Sequence, residues 1–318
     1  MTTPYAPSRR RLLLASGTMF AWAYLPKLAR AEGRDPRFLT IVLRGALDGL
    51  ATVAPVGDPH WETLRRDDAL TLGGKTPALK LDEFFALNPA MPNLHRMFQA
   101  NEAIVVHAAA TSYRERSHFD GQDVLESGSE RSGAIKTGWL NRLLAGLASE
   151  EKVSSNAGRA FAVGPVTPLV VRGPAPVLSW SPRRIPPASD DTIMRLLELY
   201  RHTDHDFARV LENRVKLASL TQDNGAELSS SGQATEPNFV SAFFAETIGA
   251  AATFLAQVDG PRLGALALDG WDTHYKEGIA TGQLAQLLGA LDRALDTAKQ
   301  NMGPAWRETV VVLVTEFG

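Results

Sequence analysis

Short, uninterrupted apolar runs recur along this chain, and long helical patterns separate them. Phe38-Leu39-Thr40-Ile41-Val42-Leu43 ends at Arg44-Gly45, and comparable runs occupy residues 103–107, 169–171, 263–268 and 309–314. A strand that alternates apolar with polar residues keeps one face wet, whereas a strand apolar at nearly every position is covered on both faces. Between the runs, apolar residues recur at helical spacing over 138–148, 190–220, 238–258 and 278–301. Strands alternating with helices predict an α/β fold, a mostly parallel sheet sandwiched by helices. Residues 180–235 depart from that plan. Pro182, Pro186 and Pro187 lead into one long amphipathic helix, and residues 227–235 are polar and Ser-rich. This stretch lacks the apolar runs for a core of its own and reads as a cap or insertion.

Residues 1–31 read as an address. Ser8-Arg9-Arg10-Arg11 runs into an apolar stretch from Leu12 to Leu25, which Pro26 breaks before Ala29-Arg30-Ala31. The pattern is a twin-arginine secretory signal with an A-x-A cleavage site after Ala31. The twin-arginine translocase is therefore an expected partner, and residues 32–318 are expected in the periplasm or outside the cell. The apolar stretch of about 14 residues is short of the roughly 20 that span a bilayer, so no stable membrane span is expected. Five of the 33 basic residues and none of the 35 acidic ones lie in this leader, which leaves the body acidic. An acidic body argues against nucleic acid as a partner, since phosphate tracking needs a basic stripe. The chain has no Cys, which excludes disulfides, thiolate metal sites and a thiol nucleophile.

In an open parallel sheet, ligands bind outside the carboxyl ends of the strands. The polar residues just after each run are thus the ones to inspect. They are Asp48 after the first; His107 and then Arg116-Ser117-His118-Phe119-Asp120 after the second; Gly270-Trp271-Asp272-Thr273-His274; and Thr315-Glu316-Phe317-Gly318. Carboxylates mixed with imidazole suit Zn, Mn or Fe(II), with Mg or Ca where oxygen ligands dominate. Asp272-Thr273-His274 is the sharpest of these signals. In an extended segment, residues two apart point the same way, so Asp272 and His274 can meet one ion; the plainer alternative is a loop carboxylate orienting a histidine. Asp48 and Glu316 have plain alternatives as a turn residue and a solvated one. Ser117 reads as a nucleophile, as the N-cap of the following helix, or as both. His107 reads as a hydrogen-bonded core histidine before a ligand. The cluster from His202 to Asp206 sits on the polar face of its helix, where charges face water. Trp139 and Trp271 read as packing residues.

Five segments carry a resemblance: Leu43-Arg44-Gly45-Ala46-Leu47-Asp48-Gly49-Leu50, Arg116-Ser117-His118-Phe119-Asp120, Thr137-Gly138-Trp139-Leu140, Gly270-Trp271-Asp272-Thr273-His274 and Thr315-Glu316-Phe317-Gly318. With the leader, they resemble in order the exported bacterial family DUF1501, grouped with the alkaline phosphatase and sulfatase superfamily. The resemblance implies an alkaline-phosphatase-like sheet with a metal-binding edge. It implies Asp48, His118, Asp272, His274 and Glu316 as ligands of divalent metal, Zn or Mn before Mg or Ca, and Ser117 as the nucleophile. It further implies a metal-dependent hydrolase of small phosphate or sulfate esters, or else a non-catalytic metal- or ligand-binding protein of the same fold. This chain has Ala46-Leu47 where the family carries Gly-Asn, which makes the first loop stiffer and more apolar. The resemblance also implies a later Thr-Asp-His-Gly stretch with further ligands, so that an end at Gly318 reads as a fragment or a truncation.

Overall fold

The apolar runs at 38–43, 263–268 and 309–314 form adjacent strands of one parallel sheet. A computed structural model describes residues 35–148, 160–181, 190–205, 207–208, 211, 236–258, 260–274 and 277–317. The leader over 1–31, the end of the helix expected to reach 220, Asp206 and Gly318 lie outside the described residues. Strand β1 is Arg37–Leu43, and the short β2 is Val53–Ala54, β3 Leu79–Lys80 and β4 Ala86–Leu87. They are followed by β5 (Ala160–Val163), β6 (Val177–Trp180), β7 (Leu263–Leu268) and β8 (Thr309–Val314). The main sheet has the order β6-β5-β7-β1-β8, and every pairing in it is parallel. A small antiparallel sheet, β2-β4-β3, stands apart from it.

β1 and β7, inside the sheet, are buried on both faces as their runs predict, whereas β8, at the end of the sheet order, is only half-buried. Among the helices, α1 is Gly49–Thr52, α2 Trp61–Arg65, α3 Pro92–Gln99, α4 His118–Ser127 and α5 Trp139–Ala148, with α6 at Asp190–Thr203, α7 at Glu236–Ala256 and α8 at Gln283–Met302. Alternate residues of each strand point to opposite faces. Ile41, Phe161 and Leu266 thus enter a core closed by Ile248 and Leu255 of α7 and Leu288 and Leu291 of α8. Ala160, Leu263 and Ala265 enter a second core closed by Leu140 and Leu144 of α5. The buried Asp292 of α8 accepts from the backbone N–H of Asn93 (3.1 Å) and Leu94 (2.7 Å), and so supplies an anion to the first turn of α3.

The expected fold class is therefore present: a central five-stranded parallel sheet flanked by helices. Two strand expectations are corrected. Residues 169–171 form a 3₁₀ turn that buries Val170 and Val171 in the second core, because three apolar residues carry no period to separate strand from turn. Residues 103–106 form no strand and His107 begins a turn, and Ile104 and Val106 are 78% and 73% exposed. They line a cavity of about 660 Å³ with Leu291 and Leu295 of α8 and Val311 and Leu313 of β8. His107 still hydrogen-bonds as a packed histidine, with its ring 4.8 Å from Phe85 and Nε2 3.2 Å from the Val53 carbonyl.

The chain divides into two units, one of residues up to 181 with 236–318, the other of residues 182–235. In the second, α6 ends near a stacked Tyr200–Phe207 pair, and exposed His202 contacts Glu198 one turn back, as the solvated face predicts. Among the described residues, no helix is long and apolar enough to cross a membrane.

Candidate functional site

Strand order decides which polar residues meet. β7, β1 and β8 are neighbours, and their registers set Leu43 level with Leu268 and Val42 level with Val314. The segments after these three strands leave the sheet side by side. They line a cleft of about 330 Å³ with Gly45, Asp48, Arg65, His118, Asp272, His274 and Glu277.

Backbone crowding holds the first loop in place. Gly45 has φ +117°, and a Cβ there would lie 2.3 Å from the Asp272 backbone nitrogen. Only glycine fits such a conformation and so close an approach. The Trp271 N–H donates to the Arg44 carbonyl (3.1 Å), tying the β7 segment to the β1 segment. Trp271 itself is buried and stacked on Phe244, the packing role expected of it. Below the loop, Arg44 pairs with the buried Glu126 of α4 at 2.5 Å, and Glu126 also accepts from the Val170 N–H. This pair fixes α4 against the sheet end.

At its other end, α4 presents His118. Ser117 is the N-cap, its Oγ accepting from the Asp120 N–H at 3.3 Å, and it stands outside the lining of the cleft. The His118 ring packs 5.0 Å from Phe317. Its Nδ1 lies 3.0 Å from Glu316 Oε1, which also accepts from the Gly45 N–H (2.8 Å) and Gln122 (3.0 Å). Burial pushes the Glu316 carboxyl up, but hydrogen bonds from Gln122, from its own backbone N–H, from His118 and from Gly45 outweigh it. The net result is a carboxyl below its ordinary range. An ionised Glu316 accepts only, so Nδ1 of His118 carries the proton and Nε2 faces the cleft.

Beyond Nε2 the chain of groups continues. His118 Nε2 is 3.7 Å from Asp272 Oδ2, a gap wider than a hydrogen bond, and His274 Nε2 is 3.1 Å from Asp272 Oδ1. Carboxylate and imidazole thus alternate from Glu316 through His118 and Asp272 to His274, from a fully buried side chain to one 81% exposed.

In the same cleft, Asp48 is engaged at both oxygens. Oδ1 accepts from the Ala51 N–H as the N-cap of α1 (2.8 Å), and Oδ2 accepts from Arg65 (2.7 Å). Glu277 accepts from the Thr273 hydroxyl, and burial, then Asp48, push its carboxyl above the ordinary range.

The structure therefore brings Asp48, His118, Asp272 and His274 to one cleft, sets Glu316 behind His118, and gives Ser117 the capping role. It adds Arg65, Gln122 and Glu277, which sequence reasoning passed over. Gln122 was within reach of it, since it lies one turn after His118 on the same helix face. Arg65 and Glu277 carry no local pattern.

As a test for metal, the donors divide. Among the described residues, no three His, Asp or Glu side chains are arranged to hold one ion. Asp272 has the imidazoles of His118 and His274 within 4 Å, one ring backed by Glu316, which is the right donor chemistry for a cation but not a set arranged around one point. Asp48 does not suit a cation, because Arg65 already neutralises it.

No curated protein and no solved structure matches the chain. A family model does, over residues 35–318, and the family is described only as proteins of unknown function. The chain belongs to that family, DUF1501.

Proposed function

We propose that this chain is an exported hydrolase of phosphate or sulfate esters that uses a divalent metal, Zn or Mn before Mg or Ca. The reading rests on one observation above the others. At the carboxyl edge of a parallel sheet, His118 and His274 lie 3.7 Å and 3.1 Å from the two oxygens of Asp272, with His118 held by the buried Glu316. The resemblance to the alkaline phosphatases and sulfatases supports a hydrolase, and the twin-arginine pattern over residues 8–31 supports export.

Asp272, His118 and His274 are the donors that would have to close around an ion, since they are not arranged to hold one here; once bound, it would polarise an ester oxygen and lower the pKa of water. The protein's own groups do the rest. Glu316 keeps His118 in one tautomer and orientation. His118 Nε2, facing the 3.7 Å gap to Asp272, has one free lone pair, which as a ligand it would give to the ion rather than to a proton. Arg65 offsets the charge of Asp48, so an anionic ester meets a less repulsive wall. Ser117, with its Oγ engaged as a cap, is the weaker nucleophile candidate.

The test is metal analysis and turnover of an aryl phosphate and an aryl sulfate by the full chain. Asp272→Ala is expected to lose both bound metal and turnover, by at least 100-fold in kcat/KM. Metal-free protein with an intact sheet and no turnover would remove the reading. The second reading, a non-catalytic binding protein, draws support from the capping role of Ser117. It expects metal retention without turnover of any ester, and no measurable change in Ser117→Ala beyond the cap's share of stability.

A further inference from the structure

We propose that the cavity along β8 binds one long-chain fatty acid, with its tail between β8 and α8 and its carboxylate at Arg307. This site is separate from the cleft around Asp272, and nothing in it depends on a metal or on ester hydrolysis.

The cavity, about 660 Å³, has the size of a small-ligand site. Its lining follows β8 from Arg307 and Thr309 at one end to Thr315 at the other. At the rise of a strand, the stretch from Thr309 to Thr315 is roughly 20 Å long. One lipid tail spans half of a hydrocarbon core of about 30 Å, so a chain of that length fits. The walls suit such a tail. Leu291 and Leu295 of α8, Leu94 and Met97 of α3, and Val311 and Leu313 of β8 all face the cavity. Leu291, Leu295 and Met97 are buried, whereas Ile104 and Val106 on the strap of residues 103–106 are mostly exposed. The inner wall is therefore apolar and withdrawn from water, and the rim is open. At the far end, the Thr315 hydroxyl is already engaged, donating to the Leu43 carbonyl (2.8 Å) and accepting from the Leu47 N–H (3.1 Å).

The near end is polar and carries excess positive charge. Glu102 lines it, but its carboxylate accepts from Lys299 Nζ at 2.5 Å and from the Trp306 indole N–H at 3.3 Å. Arg307, exposed at the same end, adds a second positive charge that also acts on Glu102. The charge of the next residue, Glu308, acts instead on Arg37. Two cations thus face one anion, and a guanidinium is the side chain best shaped to take a carboxylate through two parallel hydrogen bonds. An apolar trough with a cationic mouth matches a molecule with one apolar tail and one anionic head. A second copy of this chain would cover the rim without filling a trough walled by β8, α3, α8 and the strap.

The experiment titrates the full chain, stripped of lipid on a hydrophobic resin, with carboxyl-¹³C palmitate below its micelle concentration, followed by calorimetry and by the carboxylate NMR signal. Saturable binding of about one palmitate per chain is expected, with octanoate at least tenfold weaker because its tail buries far fewer methylenes. Arg307→Gln is expected to weaken palmitate about tenfold while leaving hexadecanol, which has the same tail and no charge, within about twofold of the parent. Leu291→Trp, which fills the trough, is expected to abolish binding of both. No saturable palmitate binding, equal losses of palmitate and hexadecanol in Arg307→Gln, or unchanged binding by a folded Leu291→Trp would overturn the proposal. If Leu291→Trp does not fold, the exposed Arg307→Gln decides. Binding to phosphatidylglycerol vesicles without binding of free palmitate would assign the face to a membrane and overturn the proposal. A dimer of the stripped chain that Ile104→Asp dissolves would assign it to a second copy, with the same consequence.

Discussion

Glu316 shows how one side chain can set the chemistry of another. Its carboxylate is fully buried, a costly place for a charge, and three donors, two from α4 and one from the loop after β1, meet at its Oε1. Because those bonds depress its folded pKa, the group contributes stability that is complete above its unfolded value, near about 4.3, and is lost as pH falls through the lower folded value. Glu316→Gln is therefore expected to cost about 2 kcal/mol at neutral pH, as charge-assisted bonds become neutral ones. It is also expected to flatten the stability profile below about pH 4.3. Urea unfolding at pH 7 and at pH 3.5 would check both; an unchanged slope with pH would show that Glu316 does not carry the acid sensitivity. Sequence reading reached Glu316 as a strand-end carboxylate, but with the role of ligand. Its place behind His118 was hidden, because Gly45, His118 and Gln122 are each about 200 or more positions away.

Helix α4 is the element that turns a sheet edge into a site. It carries His118 and Gln122 at its start and Glu126 near its end, so one rigid rod links the cleft to the buried Arg44 pair. Removing one partner of such a pair leaves the other charge stranded. Glu126→Ala is expected to lower stability by about 3 kcal/mol and to loosen His118; thermal unfolding and the proton signals of the His118 ring would read the two effects separately. A variant as stable as the parent would mean that α4 is held by packing alone. At this scale the sequence was legible in part. The Ser117 cap, α5, α7 and α8 follow from capping chemistry and helical period, whereas β5, an Ala-Phe-Ala-Val segment, offers too little β-branched or aromatic weight to be seen. The opposite error arose at residues 103–107. Their composition is that of a buried strand, yet a strand exists only where a partner lies alongside, and composition does not report that.

At the scale of the whole molecule, the sheet order governs both stability and function. β7 lies inside the sheet with neighbours on both sides and contributes to both cores, whereas β8 has a neighbour on one side only among the described residues. Hydrogen exchange should follow that order. The amides of β7 and β1 are expected to exchange last, through global unfolding, while residues 103–107 and the outward amides of β8 exchange sooner by local opening. Uniform protection across all five strands would contradict this. The amino-acid sequence determined by itself that the protein is a layered α/β molecule, because residues apolar on both faces of a strand have no stable alternative to burial between helices. It also determined which residue types stand at the strand ends. Only the tertiary structure decided that β7, β1 and β8 lie side by side. That adjacency brings Asp272 and Glu316 within reach of one histidine. The physical reason is that hydrophobic burial is set locally along each element, whereas a polar constellation depends on distances between elements remote in sequence, and those exist only after the sheet has formed.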